Sequence, residues 1–377
     1  MHMHNNTAMA RAILIGLNET KGIAWHTINK VICYTNKGTC LHLALDFSDR
    51  EWLEAGLDSK QLASWRKALQ DGILVEAEQR YIRLGTGVLT ILDPEYPVLL
   101  KQTVRPPWVL YLIGRSELLH RPSIAMVGTR LPSSYGRQIA LSLAGQLAAL
   151  GFTVVSGLAK GIDRIAHEGA VGHEASTVAV LGTPVDIIYP PENRALYRQI
   201  AQDGLIVSEY PLGTRLHPGL FPQRNRIIAG LSSGTLVVEA AEQSGSLITA
   251  TFAQEMNREL FAVPGQVNSP KSKGTNRLIK DSGAKLTMGA EDIMEEFRFR
   301  EDILTKLQPV QTAVCQELVE LSSEEKKVLE LIQDKPSTAD ELHERSGLTF
   351  GLLHAVLINL SIKQRVEQHA GSIYSAL

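Results

Sequence analysis

The sequence predicts an α/β protein whose main part is a Rossmann-like parallel sheet domain over residues 91–297. A helical domain of SAM or helix-hairpin-helix type is expected over 1–90, a linker over 298–320 and a winged-helix domain over 321–377. Three observations lead there. Through the middle of the chain, short runs of consecutive apolar residues alternate with glycine turns and helical periodicity, the pattern of strands buried on both faces and joined by crossover helices. Before them, Gly16, Gly22, Gly38, Gly56 and Gly72 punctuate short apolar-periodic stretches. After them come two capping-box signatures, Ser322-Ser323-Glu324-Glu325 and Thr338-Ala339-Asp340-Glu341, followed by two terminal strands around Ala370-Gly371. A length of 377 residues suits two to three domains.

Taken in order, Gly16-Leu17-Asn18-Glu19-Thr20-Lys21-Gly22-Ile23 ahead of a helix over 24–32 has the form of a helix-hairpin-helix turn. Such a turn can offer backbone N–H groups to a DNA phosphate, and it also serves to reverse direction in any small helical bundle. Prolines 94, 97, 106, 107 and 122 then mark a junction around a strand from Trp108 to Ile113. Strands follow at 124–127, 152–155, 177–181, 204–208, 235–238 and 259–263, with helices over 135–150, 163–171 and 246–256. The expected recognition helix, 349–362, carries no charged side chain, and its domain holds six Lys and Arg against eight acids. Protein contact suits that surface at least as well as DNA contact.

Composition excludes several classes. The apolar fraction is 44% and the charged fraction 21%, enough for a packed core and without the bias of a disordered chain. Cys33, Cys40 and Cys315 form no CxxC pair, which argues against a disulfide scaffold or a cysteine zinc site and fits the cytoplasm. The apolar run Ala12 to Ile15 is too short for a signal peptide or a membrane span. Met1-His2-Met3-His4 reads as a disordered start rather than a metal site. The net charge of −2 hides a central excess, with 16 Lys and Arg against 12 Asp and Glu between 121 and 290.

Ligands of open parallel sheets sit beyond the carboxyl ends of the strands. Three turns fall there. Gly128-Thr129-Arg130 offers close backbone approach, a hydroxyl and a guanidinium fork. Ser156-Gly157-Leu158-Ala159-Lys160-Gly161 adds a point charge, and Ser244-Gly245-Ser246 adds hydroxyls at a helix start. Together they favour an anionic ligand. GxGxxG and GxxxxGK[ST] are both absent, so no dinucleotide or ATP cofactor is expected. Phe221-Pro222-Gln223-Arg224-Asn225-Arg226 sets two guanidiniums beside an aromatic ring, the combination suited to single-stranded nucleic acid. A loop with salt-bridged arginines and a core phenylalanine fits it equally.

These segments, with Met126-Val127-Gly128-Thr129-Arg130, Gly161-Ile162-Asp163, Ala166-His167, Val180-Leu181-Gly182, Tyr189-Pro190, Ser244 to Ala250 and Val263-Pro264-Gly265, resemble the DNA-processing protein A (DprA, or Smf) family from about Asp93 to Leu286. The resemblance implies a cytoplasmic, non-enzymatic protein that binds incoming single-stranded DNA during natural transformation, shields it and loads the RecA recombinase on it. It places Arg130 and Lys160 on phosphates and Phe221 against a base. Arg224, Asn225 and Arg226 would shape the pocket, while Gly128, Thr129, Ser156, Gly157, Ser244 and Gly245 supply donors. It also implies a homodimer through Leu278, Ile279 and Leu286. The chain departs from the family at Thr129, where serine is usual, at Lys160, where arginine is common, at Pro184 in place of a glycine, and at the uncharged Pro218.

Two rivals use the same sheet. A nucleotide phosphoribohydrolase needs PGGxGTxxE; the nearest segment, Ser232 to Glu239, lacks Pro-Gly-Gly and sets its glutamate one residue late. A winged-helix transcription regulator is disfavoured by the uncharged recognition helix. Asp163 and His167, four residues apart, lack a third metal ligand and are expected to be structural.

Overall fold

The computed structural model describes residues 2–307, 322–335, 337–362, 366–369 and 373–376. Cys315, the 308–320 part of the expected linker, Lys363, Arg365 and the Ala370-Gly371 turn lie outside the described residues. Residues 2–307 form one compact unit and the C-terminal residues a second.

In the first unit, five helices lead: α1 (His2–Glu19), α2 (Trp25–Tyr34), α3 (Asp49–Glu54), α4 (Ser59–Gln70) and α5 (Ile73–Arg83). His2 to His4 belong to α1, where a disordered start was expected. Complete capping boxes start α3 at Ser48 and α4 at Asp58. The helices bury Trp52 and Trp65 among themselves, and their core continues into Trp108, Val109 and Tyr111. The segments divided at residue 90 on sequence therefore share one apolar core.

The sheet begins with β1 (Gly87–Thr90), and after α6 (Val98–Lys101) comes β2 (Val109–Gly114). The alternating series follows as β3 (Ser123–Val127), α7 (Ser134–Ala149), β4 (Thr153–Ser156), α8 (Ile162–Ala170), β5 (Thr177–Val180), α9 (Arg194–Asp203) and β6 (Leu205–Ser208). It continues with α10 (Leu220–Leu231), β7 (Gly234–Val237), α11 (Ser246–Glu255), β8 (Glu259–Ala262), α12 (Lys273–Asp281) and β9 (Lys285–Leu286). The strand order is β1-β2-β6-β5-β4-β3-β7-β8-β9. From β6 to β9 every pairing is parallel, as expected; β1 and β2 add an antiparallel edge. Strands β3 to β7 are buried along their whole lengths, because helices cover both faces.

The chain winds outward from β3 to β6, then returns to the other side of β3 as β7. The switch point between β3 and β7 opens a crevice at their carboxyl ends. Past β9, α13 (Ala290–Glu296) and α14 (Glu301–Leu304) press Phe297, Ile303 and Leu307 onto the same core as α7, so the start of the expected linker packs on the sheet.

The second unit has α15 (Ser323–Asp334), β10 (Ser337–Thr338), α16 (Ala339–Ser346), α17 (Phe350–Ile362), β11 (Val366–His369) and β12 (Ile373–Ala376). Both capping boxes read from the sequence are formed, and the strands pair antiparallel in the order β10-β12-β11. Val328, Ile332, Leu342, Leu353, Leu357 and Leu360 make the core of this winged helix.

Gly161 sets the spacing of the two turns at the switch point. Its φ of 80° and ψ of −126° lie in a region open essentially to glycine, and a Cβ there would sit 2.3 Å from the Thr129 carbonyl oxygen. Gly161→Ala is expected to cost about 3 kcal/mol or more, whereas Gly172→Ala, whose Cβ would meet nothing within 4 Å, stays within about 0.5 kcal/mol. Urea unfolding midpoints of the two variants test this difference.

Candidate nucleic-acid interface

The crevice is a cleft of about 390 Å³ lined by Gly128, Arg130, Ala159, Asp163, Phe221, Pro222, Arg224, Asn225, Ser244, Gly245, Ile248 and Thr249. It gathers the turn after β3, the turn after β4, the start of α10 and the start of α11.

The floor is organised by Arg224. The Phe221 to Arg226 segment is helical, in the first turns of α10, and Arg224 is 5% exposed. Its Nη1 donates to the Gly157 carbonyl at 2.6 Å and to the Val180 carbonyl, joining the ends of β4 and β5. A Cβ on Gly157 would lie 2.4 Å from Nη2, so the guanidinium occupies the space a larger residue would need. The buried Asp163 accepts from the Gly157 amide at 3.2 Å. Burial pushes the Asp163 carboxyl up, opposed by the neighbouring Arg224, and the same burial pulls the Arg224 guanidinium down.

The turn after β4 is held by buried polar groups. Leu158 adopts φ 52°, its N–H donates to His167 Nε2 at 3.2 Å, and its carbonyl accepts from Asn193 Nδ2 at 2.9 Å. Thr177 donates its hydroxyl proton to the Val154 carbonyl, which leaves its oxygen to accept from His167 Nδ1 at 2.7 Å. These partners fix the neutral Nδ1–H tautomer. Burial, reinforced by Arg224, pulls the imidazole down to about 3. Asp163 and His167 both hold the turn through hydrogen bonds, and no group of three or more His, Cys, Asp or Glu among the described residues could hold a metal.

The turn after β3 depends on Glu239, which follows β7. Its carboxylate accepts from the Ser133 amide at 2.8 Å and the Ser133 hydroxyl at 2.7 Å, while its carbonyl accepts from the Thr129 amide at 2.7 Å. Ser133 in turn caps α7. A hydrolase would aim this glutamate at a glycosidic bond; here both oxygens secure a helix N-terminus.

The predicted residues thus separate into two groups. Arg130 is exposed without an ion-pair partner among the described residues, and Phe221 is half-buried with its ring 5.1 Å from that of the exposed Tyr189. Gly182 makes this placement possible, since a Cβ there would be 2.6 Å from the Phe221 ring. Asn225 stays half-buried at the wall, Thr129 accepts at its hydroxyl from the Leu131 amide, and the Ser244 and Ser246 hydroxyls bond each other at 2.8 Å beside the open Gly245.

Ser156, by contrast, is fully buried and donates to the Met126 carbonyl, and both backbone groups of Gly157 are engaged. Lys160 is exposed but paired with Glu192. Arg226 turns to the opposite flank of α10 and pairs with Glu209, because residues two apart on a helix face away from each other. Of the apolar trio, Leu278 is core at 9% exposure, Ile279 is half-buried and Leu286 is exposed on the edge strand β9.

The sequence reading gave no role to Tyr189 or Asn193 and weighed Glu239 only as a hydrolase glutamate. Tyr189-Pro190 was the one available signal, as part of the resemblance.

Two outcomes follow. Arg224→Ala strands two buried carbonyls and should lower stability by about 3 kcal/mol or more, while Arg130→Ala should leave the unfolding midpoint unchanged. His167 is neutral in the fold and binds a proton once unfolded. Its contribution, on the order of 5 kcal/mol, is full above about pH 6.5 and is lost as pH falls toward 3. The stability of His167→Gln, from urea unfolding, should fall less than that of wild type between pH 6.5 and 4, by about 3 kcal/mol.

The sequence model of the DNA recombination-mediator protein A family matches residues 87–298, and that of the DprA winged helix domain matches 315–372. Protein Smf of Synechocystis sp. is 38% identical over 317 residues, covering 76% of this chain and 79% of that protein. DNA processing protein DprA of Bacillus subtilis is 42% identical over 217 residues, 57% of this chain and 73% of the relative. The crystal structure of DprA from Streptococcus pneumoniae superposes with a TM-score of 0.66 at 34% identity, covering 76% of this chain and 97% of that one. DNA processing protein A of Helicobacter pylori, whose structure describes a single-stranded DNA binding mode, gives 0.52 at 33% identity, covering 57% and 96%. With the family's sheet domain and winged helix both matched in order, the chain belongs to the DNA recombination-mediator protein A family.

Proposed function

We propose that this recombination-mediator protein binds single-stranded DNA in the cleft at the β3/β7 switch point. The observation that carries the reading is that Arg130, exposed and without an ion-pair partner among the described residues, lines one crevice with Phe221, whose ring is joined by that of Tyr189. Arg130 clamps a phosphate and the rings take a base face, contacts every base can make. Ser244, Gly245 and the first amides of α11 add donors, and Lys160 joins when a phosphate displaces Glu192. Arg224 acts by holding the floor.

In the cell, the protein shields incoming single strands in the cytoplasm and loads RecA on them, without catalysing a reaction. No helix among the described residues is long and apolar enough to cross a membrane. Homodimerisation through the β9 edge is supported by the exposure of Leu286 there, with Ile279 beside it; Leu278 contributes by holding α12 to the sheet.

Fluorescence anisotropy with a labelled single strand and its duplex, at two salt concentrations, tests the reading. Wild type should prefer the single strand. Arg130→Ala should weaken it tenfold or more, about 1.5–3 kcal/mol for a lost charge-assisted contact, and lower the salt slope by about 0.7. Equal binding by wild type and Arg130→Ala would remove the cleft from consideration.

A further inference from the structure

The strand-end cleft is not the largest concavity of the first unit. A second, of about 700 Å³, lies on the other flank of α10, where the helical N-terminus meets the loop after β6. Its walls include the turn Glu19 to Ala24, Trp25, Arg105, Trp108 and the loop Tyr210 to Arg215.

Its charge is one-sided. The cations are Lys21, Arg105, Arg215 and Arg226, and the carboxylates Glu19 and Glu209 are both occupied. Glu19 receives hydrogen bonds from Arg80, Tyr81 and Tyr111, and Glu209 is paired with Arg226. Lys21, Arg105 and Arg215 have no ion-pair partner among the described residues. Arg226 is 8% exposed and its Nη1 has no hydrogen-bond partner, as is true of Arg105 Nε. Unsatisfied buried guanidinium nitrogens are costly unless a ligand completes them.

The cleft also carries rings. Trp25 and Trp108 stack at 5.4 Å, and the Arg105 guanidinium lies 5.2 Å over the Trp25 ring. Each indole N–H is tied to backbone, Trp25 to the Pro106 carbonyl at 2.6 Å and Trp108 to that of Trp25 at 3.1 Å. The opposing loop is fastened too, since the Leu212 amide donates to Tyr81 at 2.9 Å. Free cations beside a fixed aromatic stack match a phosphodiester strand with its bases.

We propose that this second cleft binds the continuation of the single strand held at the strand ends, so that one strand crosses α10. The helix is about 10–12 Å across with its side chains, a short crossing for an extended strand. Phe221 and Arg224 face the first cleft from α10, and Gln223 and Arg226 face the second. Arg105 and Arg215 take phosphates, and a base packs at the rim of the Trp25 and Trp108 stack. This inference rests on the function proposed above.

The test compares labelled oligothymidylates of about 5 and about 15 nucleotides on the full chain. In Arg105→Ala/Arg215→Ala, affinity for the short oligomer should equal wild type. Affinity for the long one should fall at least tenfold, with a salt slope lower by about 1.4 for two lost phosphates. The long oligomer alone should quench tryptophan fluorescence, and Trp25→Phe should remove that quench. A wild-type gain with length that the double variant retains overturns the second cleft and leaves the first standing. No wild-type gain with length does the same, as does equal weakening of both oligomers. Failure of wild type to bind either oligomer overturns the strand-end reading, and the second cleft falls with it.

Discussion

One buried cation organises the ligand-facing end of the sheet. Arg224 reaches from α10 beneath the turns and draws together two carbonyls that close β4 and β5, beside a buried aspartate and a neutral histidine. Removing such a charge from water is expensive, and the fold offsets that cost with hydrogen bonds to strand-end carbonyls and with the nearby Asp163. The arrangement dictates neighbouring residue types. Gly157 must lack a side chain to admit the guanidinium, and Leu158 must hold a positive φ so that its amide meets His167. Asn193 must be close enough to take the Leu158 carbonyl. Strain and desolvation are thus concentrated beneath the turns that carry the exposed side chains.

The sheet was legible because its signal is local. Each buried strand announces itself as a short, mainly apolar run beside a glycine turn, and three crossover helices by their spacing, so β3 to β8 and α7, α8 and α11 lie within a residue or two of the expected bounds, whereas α9, α10 and α12 were not read from the sequence. The antiparallel edge was not legible as such. Val109 to Gly114 read as a strand, but its direction depends on where the chain enters the sheet, which the N-terminal helices decide. The same helices share a core with the sheet, and no composition shift at residue 90 records that.

The site was legible in its membership more than in its roles. Arg224 and Arg226 read as two guanidiniums shaping one pocket. In a helix, residues two apart diverge by about 200°, so one faces the first cleft and the other the second. Ser156 looked like a donor for ligand, yet its hydroxyl is used by the neighbouring strand at Met126. Glu239 looked like a failed catalytic residue; its work is to fix Ser133 and the turn that carries Arg130. In each case the residue type was informative and the direction of the side chain was not, since direction is set by elements distant in sequence.

Net charge is a poor guide to where this protein meets an anion, and the reason lies in pairing. Several surface cations of the first unit are matched to nearby carboxylates, as with Arg164 and Glu168 or Arg277 and Glu242, and such pairs present little field beyond a Debye length of about 10 Å. The unmatched cations are what a polyanion senses. Among those that line a cleft beside α10, and among the described residues, Arg130 stands on one flank, and Arg105, Arg215 and Lys21 stand on the other. A chain with a formal charge of −2 can therefore hold a strongly anionic strand, provided that its acids are engaged elsewhere and its free cations border aromatic faces. Helix α10 borders both clefts, and its two arginines, bonded to strand-end carbonyls on one flank and to Glu209 on the other, anchor the walls on which Arg130, Arg105 and Arg215 stand.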